Sequence, residues 1–453
     1  MKNIRKNGIS LILLVIILIV IMILAGAVIL TLSNNNPVQN ALNAVRLNNE
    51  STVHEALSYN QIVTGNYFVK SSPFPNVISG SLKTYIESKV GRALTPTDLF
   101  YKVETDKLNV KTNLKNEYIF CKELNTVIEV TENDMKNVGK PMAVWFWCNT
   151  SIPNEIKYVD NQSDTVAVLD KLKQIGINII YIPIDVTNVS RYSNFIKEAY
   201  NRDMYVYALY GDPHFIFEQN YSSCINGIID SISEYNKYAS NDSKIRGIHY
   251  DVEPYANVEW VNGQSEAAKN NICRTSYINF ITQSQNYAKS MGLLAGYDIP
   301  VWLDRYTVIH NGVEKNMAEE VIKLVDDITF MDYATNANNI FLSLDNRGTY
   351  TFEDGTTVTV TKSVLQHIDT YKKNYIIGVD LNTFKQEAQA KIDRPELVPT
   401  YISPDYEYTY SYVTKMLNDV ENKVNTFQRD NNINSQFGFS YHHIYPLLEL
   451  TNY

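Results

Sequence analysis

The chain of 453 residues has no excess of positive charge: 40 Lys and Arg stand against 49 Asp and Glu, a net charge of −9. That argues against a nucleic-acid binder, which would show a basic patch. Cysteine is scarce. Cys121, Cys148, Cys224 and Cys273 have no CxxC spacing, so a zinc knot is not expected. A Cys224–Cys273 bridge and four buried thiols both stay open, because an extracellular chain allows either. What is abundant is tyrosine, 33 residues of it. Tyrosine-rich surfaces suit neutral polar ligands such as sugars, because rings stack on sugar faces while polar groups bond to hydroxyls.

One long apolar run is present. After the leader "MKNIRKNG" (1–8), Ile9 to Leu32 carries no charge. A run of about 20 such residues spans a hydrocarbon core. It is too long for a cleaved secretory signal, whose apolar part is about 7–15 residues. A buried core helix would not be apolar on every face. Lys2, Arg5 and Lys6 precede it, and no basic cluster follows, which predicts an inside N-terminus. The expectation is a single-pass cell-membrane protein with everything from Ser33 outside. The segment resembles the N-terminus of type IV prepilin-like proteins of bacteria. That resemblance implies a prepilin peptidase as partner, cutting after Gly8. The family's usual Glu at the fifth mature position is Leu13 here, so pilus incorporation and a plain membrane anchor both stay open.

Residues 33–65 read as a helical stalk, starting after Asn34-Asn35-Asn36-Pro37. Residues 66–140 alternate like short antiparallel strands and read as a small α+β pilin-like or spacer module. From Pro141 to Tyr453 the rhythm changes. Apolar runs beginning at Met142, Ile177, Met204, Ile245, Gly292, Ile328, Tyr375 and Phe437 alternate with helical patterns. That alternation predicts βα units on a parallel sheet and, with eight runs, a (β/α)8 TIM barrel. A doubly wound sheet is the weaker alternative, because no Gly-rich phosphate loop follows the first run. The segment 335–374 reads as an insertion with a hairpin. The chain ends soon after the eighth strand, so the small module is a candidate to cover that seam.

Active sites of such barrels lie at the C-terminal strand ends. Those ends offer Trp145, Trp147, Tyr210, Asp212, Tyr297, Asp298, Asp332, Asp380 and Tyr441 as substrate-binding residues. The fourth strand is the most informative. In "GIHYDVEP", Ile248, Tyr250 and Val252 share one face, and His249, Asp251 and Glu253 the other. Parallel barrel strands are normally apolar throughout. An unpaired buried carboxylate costs several kcal/mol. The ionisable face is therefore expected in the barrel mouth, where a neighbouring acid and partial burial would raise a general acid's pKa. The bland alternative is a solvated salt-bridge cluster.

"GIHYDVEP" and "ITFMDYA" resemble a diverged family 18 glycoside hydrolase, the chitinase-like barrels. The family's Asp-x-x-Asp-x-Asp-x-Glu falls on Arg246, His249, Asp251 and Glu253, so only the last two match. Its Met-x-Tyr-Asp falls on Met331 to Ala334, so Tyr333 matches and the following Asp is absent. Its eighth-strand Trp is replaced by another aromatic, which we align with Tyr441. The resemblance implies an N-acetylhexosamine polymer as substrate, including peptidoglycan, and hydrolysis assisted by the substrate's own acetamido oxygen. Glu253 would protonate the glycosidic oxygen. Asp251 would orient the acetamido group and Tyr333 would bond its carbonyl. A protonated His249 would hold Asp251 as an anion. No cofactor or metal is implied.

Two other readings remain. Glu253-Pro254 also resembles the barrel glycosidases with Asn-Glu-Pro at this place, which would pair Glu253 with Asp380 in a two-carboxylate mechanism. A barrel with half its family acids replaced could also bind glycans at the cell surface without cutting them. Adjacent His442 and His443 on a strand face opposite ways and cannot share a metal. Asp212-Pro213-His214 reads more readily as a turn, and Trp302 joins Trp145 and Trp147 as a stacking or packing residue.

Overall fold

The computed structural model describes residues 37–393 and 407–452, apart from 74–77, 109, 111–113, 115, 132–133 and 135–139. The leader, the prepilin-like segment and the apolar run 9–32 lie outside the described residues. Among the described residues no helix is long and apolar enough to cross a membrane.

The N-terminal unit is an antiparallel sheet of four strands in chain order: Val69–Pro73, Phe100–Val103, Glu117–Cys121 and Thr126–Val130. The last two form a hairpin with Cys121 opposite Thr126. Its turn places Asn125 at φ 44°, a left-handed position that Asn tolerates. The helix Pro37–Thr64 does not stand free as a stalk. Its second half lays Val53 and Leu57 on the sheet against Val103, Tyr118, Phe120 and Val127. Leu82 and Ile86 of helix Gly80–Val90 pack in a second cluster with Phe100, Ile119 and Ile128. Buried Glu50 ties the helices to the last strand. It accepts from Glu129 N at 2.8 Å, Tyr85 Oη at 2.9 Å and Lys89 Nζ at 2.6 Å. A buried carboxylate is tolerated only when paired and bonded in this way.

From Met142 onward eight parallel strands close into a barrel. They are β1 Met142–Trp145, β2 Ile179–Pro183, β3 Tyr205–Tyr210, β4 Gly247–Tyr250, β5 Leu294–Pro300, β6 Asp327–Met331, β7 Tyr375–Asp380 and β8 Phe437–His442. Alternation sorts their side chains. Val144, Ile180, Val206, Ile248, Ala295, Ile328, Ile377 and Phe439 join the large core under the helices. Ala143, Trp145, Ile179, Tyr181, Tyr207, Leu209 and Ile376 fill the lumen. The expected insertion carries the hairpin Gly348–Thr351/Thr357–Val360, and a second hairpin, Thr307–His310/Val313–Asn316, follows β5.

The small module does not cover the β8 seam. A short eighth helix, Ile444–Leu450, is present there, and Thr451 O just beyond it accepts from Lys171 Nζ at 2.7 Å. The module closes the opposite, N-terminal end of the barrel. Leu99 joins the lumen cluster, and Tyr200 Oη donates to Leu94 O at 2.7 Å. Buried Arg246 donates to Pro96 O and, at 3.1 Å, to Asp98 O, with its guanidinium 4.3 Å from the Tyr205 ring centre. Arg246 thus sits at the floor, away from the mouth. All four cysteines are free and buried, which decides against the Cys224–Cys273 bridge.

Candidate active site

Two glycines make room for the large lumen side chains. A Cβ on Gly296 would stand 2.5 Å from His249 Nδ1, and one on Gly378 would stand 2.7 Å from the Trp145 ring. Only glycine fits where another side chain comes this close. His249 of β4 lies flat on Tyr181, ring centres 3.7 Å apart at 9°. Its Nε2 shares a 2.8 Å hydrogen bond with Asp298 Oδ1, and Asp298 Oδ2 accepts from Trp145 Nε1 at 3.0 Å. Both members of the His249–Asp298 pair are fully buried. Burial lowers His249 to about 4 and pushes Asp298 well above the usual carboxyl range. Both shifts run toward uncharged forms. His249 is therefore not the cation expected to hold Asp251 as an anion.

One layer higher, Asp251 N bonds Tyr210 O at 2.8 Å and extends the β3–β4 pairing. Val252 turns into the core, which leaves Asp251 and Glu253 on the lumen side. Asp251 Oδ1 is buried and has no hydrogen-bond partner. Burial, then the charges of Asp298 and Glu253, pushes its carboxyl up to about 8. Glu253 Oε1 accepts from the Tyr255 hydroxyl.

The far wall comes from β1, β6, β7 and β8. Trp147 Nε1 donates to His442 Nε2 at 3.1 Å. An indole N–H can only donate, so His442 carries its proton on Nδ1 and donates it to Asp380 Oδ1 at 3.0 Å. Asp380 also accepts from Asn382 N and Thr383 N, each at 3.1 Å, and from Thr383 Oγ1 at 2.8 Å. Burial pushes Asp380 up, but the hydrogen bonds from His442, Thr383 and the Asn382 N–H outweigh it and leave the carboxyl below its usual range. Tyr333 stacks on His442, ring centres 5.6 Å apart. Burial, then the charges of Asp298, Asp251, Asp380 and Glu253, holds its hydroxyl well above the ordinary value. Among the described residues none bonds to its hydroxyl.

Several sequence expectations need correction. Tyr210, Tyr297, Asp332 and Tyr441 occupy the outward parity of their strands and face the helices. Tyr210 Oη donates to Ile184 O at 2.7 Å, and Tyr297 Oη bonds Ser284 Oγ at 2.7 Å. Asp332 accepts from Ser343 Oγ and is pushed up to about 7 by burial. Tyr441 is buried against Tyr410. The aromatic at the end of β8 that faces the lumen is His442. Asp212 is exposed and caps its own turn, accepting from His214 N at 2.8 Å. Tyr255 and His442 were the residues that sequence reasoning missed. Strand parity would have found His442, and no sequence signal marks Tyr255. No group of three or more His, Cys, Asp or Glu among the described residues could hold a metal.

No family model and no curated protein matches the chain in sequence. Among solved structures, a GH18 chitinase from Pseudoalteromonas aurantia is similar over 67% of this chain and 94% of that one, at 11% identity and TM-score 0.36. The spore cortex-lytic enzyme SleL of Bacillus megaterium QM B1551 is similar over 84% and 83%, at 10% identity and TM-score 0.37. A sugar phosphate isomerase/epimerase from Parabacteroides distasonis ATCC 8503 is similar over 68% and 89%, at 9% identity and TM-score 0.33. A fold does not by itself fix a function, so function has to be argued from the mouth's own residues.

Proposed function

We propose that this chain is a glycoside hydrolase acting on an N-acetylhexosamine-containing polysaccharide, peptidoglycan among them, by a substrate-assisted mechanism. The observation that carries the reading is Asp251 Oδ1, buried two residues from Glu253 and without a partner among the described residues. An unmet buried acceptor costs about 1–3 kcal/mol, and a ligand N–H would relieve it. Glu253 is the general acid, oriented by the Tyr255 hydroxyl. Asp251 receives the acetamido N–H and turns its oxygen toward the anomeric carbon. The Tyr333 hydroxyl, without a partner among the described residues, bonds the acetamido carbonyl as charge develops there. No enzymic nucleophile is needed. Asp380 is poorly suited to be one, because His442, Asn382 and Thr383 already bond its oxygens.

The same proposal places the hydrolase outside the cell, tethered by residues 9–32, with prepilin peptidase acting at Gly8. Glu253→Gln should abolish product release from peptidoglycan or chitin oligomers while keeping binding. A thiazoline mimic of the oxazolinium intermediate should bind the wild type tightly. Unchanged turnover in Glu253→Gln removes Glu253 from the acid role. Glycan binding by the wild type without any product favours a lectin-like surface protein instead.

A further inference from the structure

Beside Glu253 an aromatic path leads away from the mouth. The Tyr255 ring lies 4.8 Å from Trp302, Trp302 lies 5.5 Å from Tyr306, and Tyr306 lies 5.2 Å from Phe352. The path ends in a cleft of about 280 Å³, near the lower end of small-molecule sites. Trp302, Arg305, Tyr306, Tyr350, Phe352 and Glu353 line it. Three neighbouring C-terminal loops build it. The turn of the hairpin Gly348–Thr351/Thr357–Val360 docks on the loop after β4, where Gln264 N donates to Thr356 Oγ1 at 2.8 Å, and Gln264 Nε2 reaches Arg305 O in the loop after β5.

Two features of this cleft are not explained by packing. The Trp302 indole N–H has no acceptor among the described residues. Arg305 has no carboxylate within ion-pair reach among them either. Its guanidinium lies 4.3 Å from the Tyr350 ring centre, and its Nε is buried without a partner. Asp304, next to it in the chain, is buried and already bonds Asn346. A planar cation fixed on an aromatic face, with an unmet donor, is suited to a carboxylate. The surrounding rings suit a pyranose.

We propose that the Trp302–Arg305 cleft is a sugar subsite of the same glycan-binding mouth, and that it selects a sugar bearing a carboxylate. It rests on the glycan reading above but not on hydrolysis. Glu353, exposed on the hairpin, opposes the same carboxylate by like charge. The substrate class is thereby narrowed, within N-acetylhexosamine-containing polysaccharides, to glycans in which those sugars alternate with acidic ones.

The test uses the detergent-solubilised full-length chain, as wild type in the cold and as Glu253→Gln. Binding is read by tryptophan fluorescence for two probes of equal length: neutral chitin oligomers, and peptide-free peptidoglycan strands carrying the lactyl carboxylate. The acidic probe should bind roughly ten- to a hundredfold more tightly, the worth of a charge-assisted hydrogen bond. Arg305→Gln should erase that preference. Trp302→Ala should weaken both probes, and Glu353→Gln should tighten only the acidic one. Equal binding of the two probes, no binding of either, or a preference that survives Arg305→Gln overturns the proposal. Absence of product from either probe sinks hydrolysis and leaves this preference still measurable.

Discussion

Asp251→Asn should stabilise the protein at neutral and alkaline pH, an unusual result for a residue this close to the proposed chemistry. Burial and the charges of Asp298 and Glu253 move the folded carboxyl from 3.8 to about 8. The folded state therefore holds this proton more tightly than the unfolded chain. Stability is full below about pH 4 and is lost as pH rises to about 8. Four units at ~1.4 kcal/mol each set an upper figure of about 6 kcal/mol. Relaxation and water entry around the ionised carboxylate reduce it, so we expect about 2–3 kcal/mol. Asn cannot ionise and escapes that loss. Urea unfolding of the full-length chain at pH 4, 6 and 8 measures the difference between variant and wild type. The two should agree near pH 4 and diverge upward. Parallel pH profiles, or an Asn variant less stable at pH 8, would refute the argument that Asp251 is held against its ionisation.

Other residues give sharper structural tests. Glu253→Gln removes a neighbouring carboxyl whose charge raises Asp251, so the Asp251 carboxyl resonance should titrate below about 8; an unmoved titration means that the two do not couple. Tyr297→Phe breaks only outward bonds, to Ser284 Oγ at 2.7 Å and Ile281 O at 3.4 Å, so unfolding should show a loss of about 1 kcal/mol with kcat/KM unchanged. A fall in turnover without that loss would put Tyr297 in the mouth. Gly378→Ala forces a Cβ against the Trp145 ring, and overpacking of this kind costs about 1–3 kcal/mol. An unaffected denaturation midpoint would mean that the lumen there is looser than the 2.7 Å approach implies.

The barrel was legible because its apolar runs and helical patterns alternate along the chain. The fourth strand was legible because parity alone separates Ile248, Tyr250 and Val252 from His249, Asp251 and Glu253. The errors arose where that same rule was not applied. Tyr297 and Asp298 are adjacent, and only one can face the lumen; the pairing of His249 with Gly296 selects Asp298. Tyr441 and His442 pose the same choice, and the pairing of His442 with Trp145 settles it. Asp332 and Tyr333 divide in the same way. What parity could not reveal is contact between distant segments. Nothing in the sequence joins Asp298 to His249 and Trp145, or brings Leu99 and Arg246 together at the barrel floor. Those contacts come from closure of the sheet and from the docking of a separate module.

The alternative of a structural charge cluster can be weighed by how hydrogen bonding changes along the lumen. Low in the barrel, Tyr181 and Thr329 bond each other at 3.4 Å. One step up, Asp298 has both oxygens bonded, to His249 and Trp145. At the rim, Asp251 has an oxygen with no partner, and the Tyr333 hydroxyl has none among the described residues. A stabilising ion cluster runs the other way, adding Lys or Arg where carboxylates gather. Among the described residues no Lys or Arg pairs with Asp251, Glu253 or Asp298, although Glu50 in the small module is paired with both Arg46 and Lys89. Glu50 shows how the chain satisfies a buried carboxylate where structure alone requires it. At the mouth it leaves Asp251 Oδ1 and the Tyr333 hydroxyl without partners among the described residues, and a neutral molecule that offers both an N–H and a carbonyl, as an acetamido sugar does, supplies what those groups lack.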